Sequence, residues 1–197
     1  MNMTRTTLAV AGLCAIIGVG GLRAQQTPPP APPAGGHAGH DHAAPAAAGK
    51  TATAKLNPTK DSTARGEVTF TQEAKGVRVV GSFNGLQMGE HGFHIHEKGD
   101  CSAPDGASAG GHFNPMSKPH AARETADRHA GDLGNVKADP YSMGRVDFVD
   151  EHISLDGPNA IIGKAVILHA QKDDFTTQPT GNAGARLACG VIEAGGK

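Results

Sequence analysis

Seven side chains between His94 and His169 have the types and spacing of metal ligands. His94 and His96 stand two apart on an alternating run. His112, His120, His129 and Asp132 follow in a polar stretch, and His169 ends a later apolar run. Because side chains alternate along an extended strand, His94 and His96 leave the backbone on one face and can grip one ion. His91, offset by an odd number, faces the other way and reads as a hydrogen-bonded structural histidine. Six imidazoles and one carboxylate exceed what a single tetrahedral ion takes, so two adjacent ions are implied. Three histidines and an aspartate would close a structural zinc site, and His112, His120, His129 and Asp132 supply that set. The all-imidazole set His94, His96, His112 and His169 suits copper(II), which accepts tetragonal nitrogen geometry and changes redox state. His112 would then serve both ions through its two ring nitrogens, a sharing that the residue types alone leave open.

Such ligands need a rigid frame, and the chain offers short strands rather than helices. Five runs alternate apolar and polar residues: Glu67 to Thr71, Lys75 to Phe83, Gly92 to His96, Arg145 to Val149 and Lys164 to His169. No segment carries a helical stripe longer than about three turns. With 28 Gly, 13 Pro and only 4% aromatic residues, the pattern predicts an all-β antiparallel sandwich or barrel. More than forty residues rich in Gly, Pro, Asp and His separate the runs ending at His96 and starting at Arg145. A structureless loop that long in a compact domain is functional or hides an unrecognised element.

Composition and charge narrow the setting. The 197 residues suit one domain, and a formal charge of -1 offers no basic field for nucleic acid or an acidic membrane surface. Residues 1–24 read as a signal peptide: Arg5 without acids, then an apolar run from Leu8 to Leu22, too short to span a bilayer as a helix. Cleavage near Ala24 leaves 16 basic against 19 acidic residues, a charge of -3, and predicts a product in the periplasm or outside the cell with no stable membrane association. It also removes Cys14 and leaves Cys101 and Cys189, an even pair in a compartment that permits one bridge. Residues 25–52 are dominated by Pro, Ala and Gly and read as a disordered linker, with the folded domain at 53–197. Within the linker, His37, His40 and His42 flank Asp41. That cluster is either a soluble low-complexity tail or a loose accessory site for zinc or copper.

Four longer motifs carry a resemblance. Gly92-Phe-His-Ile-His-Glu-Lys-Gly-Asp100, Gly111-His-Phe-Asn-Pro115, His129-Ala-Gly-Asp-Leu-Gly-Asn135 and Gly181-Asn-Ala-Gly-Ala-Arg-Leu-Ala-Cys-Gly-Val-Ile192 resemble the signatures of copper/zinc superoxide dismutases, from about residue 53 to the C-terminus. The resemblance implies a Greek-key, immunoglobulin-like β-sandwich or barrel with long metal-binding and electrostatic loops. It implies one copper per subunit on His94, His96, His112 and His169, and one zinc on His112, His120, His129 and Asp132. His112 would be the bridge and, with Arg186, a catalytic residue. It further implies that Asp173 joins the copper ligand His94 to the zinc ligand His120, with neighbouring Asp174 the competing candidate. Cys101 and Cys189 match the family's disulfide, and Arg186 the residue that holds superoxide by charge-assisted hydrogen bonding.

The implied reaction is dismutation of superoxide to dioxygen and hydrogen peroxide, protecting the cell envelope, and the resemblance leaves room for a homodimer. Two departures stand out. The segment Asp173 to Gly181 looks short for the electrostatic loop and lacks the acidic pair and lysine of many eukaryotic members. Cys101 directly after Gly99-Asp100 is similar to bacterial periplasmic members. The alternative function is a non-enzymatic copper/zinc buffering or copper-handling protein, supported by the His37 to His42 cluster.

Overall fold

In the computed structural model, which describes residues 49–195, the five alternating runs join three further segments in eight antiparallel strands. They are β1 (Thr51–Pro58), β2 (Arg65–Glu73), β3 (Gly76–Asn84), β4 (Gly89–His96), β5 (Asp132–Ala138), β6 (Met143–Asp150), β7 (Ala165–His169) and β8 (Arg186–Ala194). They close in the order β1-β2-β3-β6-β5-β4-β7-β8. This is Greek-key wiring, because β4, β5 and β6 form a meander while β3 and β7 arrive beside its two ends. Closure is uneven: β3 and β6 share a continuous ladder from Val77↔Asp150 to Asn84↔Met143, whereas β5 meets β6 only at Ala138↔Gly144. The architecture therefore lies between a barrel and a sandwich, as the strand pattern predicts. Among the described residues no helix is long and apolar enough to cross a membrane.

Strict alternation on β3 sends Val77, Val79 and Phe83 inward, where they join Leu56, Val68, Phe70, Phe93 and Ile95 in one core. Phe83 and Phe93 meet edge to face at 5.4 Å, a favourable quadrupolar arrangement. Strands β4 and β7 break the half-exposed pattern. The last six residues of β4 and all of β7 are buried, which requires cover on both faces. Val166 and Leu168 enter the main core, while Ala165 and Ile167 pack with Ala109 and Cys189 in a second cluster against Cys101.

The cover comes from residues 97–131, which hold one short 3-10 turn at Ala107–Ala109. Backbone bonds pin this loop to the end of β4: Phe113 N to Ile95 O (2.8 Å), Glu97 N to Gly111 O (2.9 Å) and Ile95 N to Gly131 O (2.9 Å). Gly131 sits so close that an added Cβ would lie 2.2 Å from the Ile95 carbonyl oxygen, so only glycine fits between loop and strand. A disulfide from Cys101 to Cys189, with Cα atoms 5.8 Å apart, ties the same loop to β8. Its sequence separation of 88 residues gives a chain-entropy stabilisation of about 4 to 5 kcal/mol at most.

Two expectations change. Strand β1 starts at Thr51, so Thr51 and Ala52, placed in the linker from sequence, belong to the sheet. Its inward residues Ala52 and Ala54 are too small to announce a strand by hydrophobicity. The long stretch before Arg145 also contains β5, where Leu133 and Val136 are both buried but three apart. Gly134, at φ 85°, breaks the two-residue period there. The expected signal peptide, most of the linker, and His37, His40 and His42 lie outside the described residues.

Candidate metal centre and family membership

His94, His96 and His169 stand on β4 and at the end of β7, on the side that the loop covers; the loop brings His112, His120 and His129 over them, and Asp132 stands at the start of β5. All seven side chains are buried. They form two groups, His94/His96/His112/His169 and His112/His120/His129/Asp132, within each of which ligand atoms lie within 4.8 Å of one another. His112 belongs to both.

Hydrogen bonds decide which atom each residue presents. His94 donates through Nε2 to Asp173 Oδ2 (2.8 Å), which leaves Nδ1 facing the group. His96 uses Nδ1 on the Gly110 carbonyl (2.8 Å) and His169 uses Nδ1 on the Gly184 carbonyl (3.2 Å), so both present Nε2. In the second group, Asp132 Oδ1 lies 2.8 Å from His112 Nδ1, 3.0 Å from His120 Nδ1 and 3.2 Å from His129 Nδ1. That convergence on one carboxylate oxygen leaves His112 Nε2 for the first group.

Among the described residues, three buried side-chain nitrogens have no hydrogen-bond partner: His94 Nδ1, His112 Nε2 and His120 Nδ1. The last is near Asp132 without the geometry of a hydrogen bond. Each such atom costs about 1–3 kcal/mol when left unpaired. All three point into the two groups, which fits a metal ion in each: four imidazoles in one, three imidazoles and a carboxylate in the other.

Asp173, not Asp174, spans the two groups. Its second oxygen, Oδ1, accepts from His120 Nε2 at 2.9 Å, while Asp174 is exposed and caps the turn at Thr176 and Thr177. Three supporting residues were not singled out from sequence. Asn135 holds the Asp173 backbone in both directions, its Oδ1 accepting from Asp173 N (2.8 Å) and its Nδ2 donating to Asp173 O (3.0 Å). Gln178 does the same for His120, at 2.8 Å each way. Gly181, at φ 66°, leaves the space over Asp173 that a Cβ would fill at 1.8 Å from Oδ1. Asn135 and Gly181 lie within the quoted motifs, but their types say nothing about which residue they hold.

Buried Arg128 adds a further brace. It donates through Nη1 to the His129 carbonyl (2.8 Å) and through Nη2 to Asp150 Oδ2 on β6 (2.6 Å). His91 joins neither group; its two nitrogens contact the carbonyls of His169 and Gln87. Arg186, half-buried at the start of β8, donates through Nη1 to Gly106 O (2.7 Å) and through Nη2 to Gly110 O (2.6 Å). Gly110 O thus accepts from both Arg186 and His96.

Residues 64–192 match the family model for copper/zinc superoxide dismutase (SODC). The chain is 43% identical over 145 residues to the Cu-Zn superoxide dismutase of Onchocerca volvulus, across 68% of this chain and 90% of that one. The chain belongs to the copper/zinc superoxide dismutase family. The crystal structure of the clock protein EA4 shares the fold with a TM-score of 0.67 and 48% identity, over 74% of this chain and 95% of that one. As a copper/zinc superoxide dismutase, the protein uses copper and zinc and dismutes superoxide. The buffering alternative gives Arg186 no role.

Without metals, the site is electrostatically divided. Burial lowers His112 to about 4 against the opposing hydrogen bond with Asp132, and lowers His96 and His169 well below the ordinary histidine value, helped by the neighbouring imidazoles. Burial also opposes charge on His120, but Asp132 and Asp173 outweigh it and raise it to about 9. For Asp132 and Asp173 burial works upward, yet hydrogen bonds from the histidines hold both below the usual carboxylate range.

A pH dependence follows for the metal-free protein. His112 contributes stability that is present above about 6.5, the unfolded histidine value, and lost as pH falls toward about 4; His96 and His169, lowered by the same burial, act in the same direction. His120 contributes stability that is present below about 6.5 and lost as pH rises through about 9. Thermal unfolding of the chelated protein should therefore give its highest midpoint near neutrality. A midpoint that climbs between about pH 6.5 and pH 5 would contradict the neutral buried imidazoles.

Proposed function

We propose that copper is held by His94 Nδ1, His96 Nε2, His112 Nε2 and His169 Nε2, and zinc by Asp132 and the Nδ1 atoms of His112, His120 and His129. The observation that carries this reading is the placement of the two nitrogens of His112. Nδ1 faces Asp132 and His129, and Nε2 is unpartnered in the four-imidazole group. When bound, copper supplies the one-electron redox chemistry that turns two superoxide anions into dioxygen and peroxide, beside zinc as a fixed structural charge.

The chain's residues do the remaining work. Asp173 accepts from Nε2 of both His94 and His120, which fixes their tautomers and ring orientations. Arg186 spends one terminal N–H on Gly106 and another on Gly110, leaving its outward donors for an anion. His112 Nε2 takes up a proton in the first half-reaction and returns it in the second, with one from water, so two protons enter each hydrogen peroxide.

The setting extends the same reading. Residues 1–24 direct export to the periplasm or beyond, where the enzyme protects the envelope. A disulfide between loop and barrel suits such an oxidising compartment. The His37, His40 and His42 cluster lies on a Pro/Ala-rich tether and raises the local concentration of scarce metal without taking part in turnover.

The direct test is a dismutase assay on copper- and zinc-loaded protein, with cyanide as control. His112→Ala should lose both metals in elemental analysis, and retention of both would sink the shared ligand. Arg186→Glu should keep its metals while the second-order rate falls steeply at low ionic strength. Deleting residues 25–50 should leave the loaded enzyme fully active but slow its metal uptake under chelator competition. Identical uptake across chelator strengths would reduce the tail to a spacer.

A further inference from the structure

The loop that anchors Arg186 also carries a carboxylate that opposes it. Arg186 Nη1 donates to the Gly106 carbonyl at 2.7 Å, and the residue before Gly106 is Asp105. The placement is tight. Gly106 is buried, and a Cβ there would lie 3.4 Å from both Arg186 Cδ and Thr59 Cγ2. Thr59 in turn donates through Oγ1 to the Arg186 carbonyl at 2.6 Å, and Lys60 N donates to Pro104 O at 2.6 Å. Asp105 is therefore the chain neighbour of a residue that a braced loop holds against Arg186. Its Oδ1 accepts the Ala107 amide at 2.9 Å, yet the side chain is exposed and, among the described residues, forms no ion pair. Burial lowers the pKa of Arg186, which stays a full cation, and Asp105 is the group whose field works in the opposite sense.

We propose that Asp105 limits substrate capture, as a negative charge at the mouth of the site that repels the superoxide Arg186 attracts. The proposal rests on the reading of Arg186 as the anion-holding residue. The loop then has two effects of opposite sign: the Gly106 carbonyl fixes the guanidinium, and the adjacent carboxylate reduces the attraction felt by an incoming anion. Such an effect acts on the association rate and fades with salt, because mobile ions screen exposed charges.

The test compares metal-loaded full-length enzyme with its Asp105→Asn and Asp105→Glu variants by pulse radiolysis, at matched copper and zinc content. Asparagine keeps an acceptor for the Ala107 amide and removes the charge; glutamate keeps the charge. At about 10 mM ionic strength, Asp105→Asn should raise kcat/KM roughly two- to fivefold, and the gain should shrink toward unity at high salt. Azide, followed by the copper absorption, should bind Asp105→Asn more tightly, and Asp105→Glu should match the parent in both measurements. A rate for Asp105→Asn at or below the parent at low ionic strength overturns the proposal. Arg186→Glu, run alongside, separates two failures. If its rate falls while Asp105→Asn is unchanged, only the role of Asp105 is wrong. If its rate is intact, the reading of Arg186 falls and the proposal falls with it.

Discussion

The Asp173 carboxylate is the interaction on which the metal centre depends. One oxygen receives the Nε2 proton of His94 and the other that of His120, so one buried group fixes the tautomer of a histidine in each cluster. Were either ring free to turn, the wrong nitrogen would face inward and the convergence on two points would be lost. The surroundings of Asp173 serve this constraint. Asn135 clamps its backbone, the Phe175 amide donates to Oδ1 at 2.7 Å, and Gly181 leaves the room that any larger residue would fill. A carboxylate so surrounded has one position available, and the rings it holds have one each.

The barrel supplies the complementary half. Strands β4 and β7 offer His94, His96 and His169 from stiff, paired backbone, and β5 begins at Asp132, while His112, His120 and His129 come from chain with little regular structure. That chain borrows rigidity from the barrel through the end of β4, the disulfide to β8 and the buried Arg128–Asp150 pair reaching β6. Removing one partner of such a pair strands a charge away from water and is costly. The loop is thus irregular without being loose.

Much of this was legible in the residues because metal binding depends on chemical type and strand alternation on spacing. His94 and His96, two apart, had to share a face, and six imidazoles with one aspartate demanded two ions. The hidden parts depended on contact rather than type. Alanines at positions 52 and 54 of β1 carry little hydrophobic signal, and Gly134 disguises β5 by breaking its period. The choice of Asp173 over Asp174 is invisible in a pair of identical neighbours, because only the fold turns one inward and leaves the other on a surface turn. Asn135 and Gln178 are ordinary amides until their backbone partners are placed.

The Gly110 carbonyl accepts from both His96 and Arg186. This single acceptor constrains how the chain can diversify. Between Cys101 and Gly110 the loop gives Arg186 one other carbonyl, that of Gly106, which serves that side chain alone. Gly110 serves two, so any change that moves its oxygen moves His96 and Arg186 together. A shift before Gly110 is thus felt by Arg186 alone, while a shift at Gly110 is felt twice through one atom.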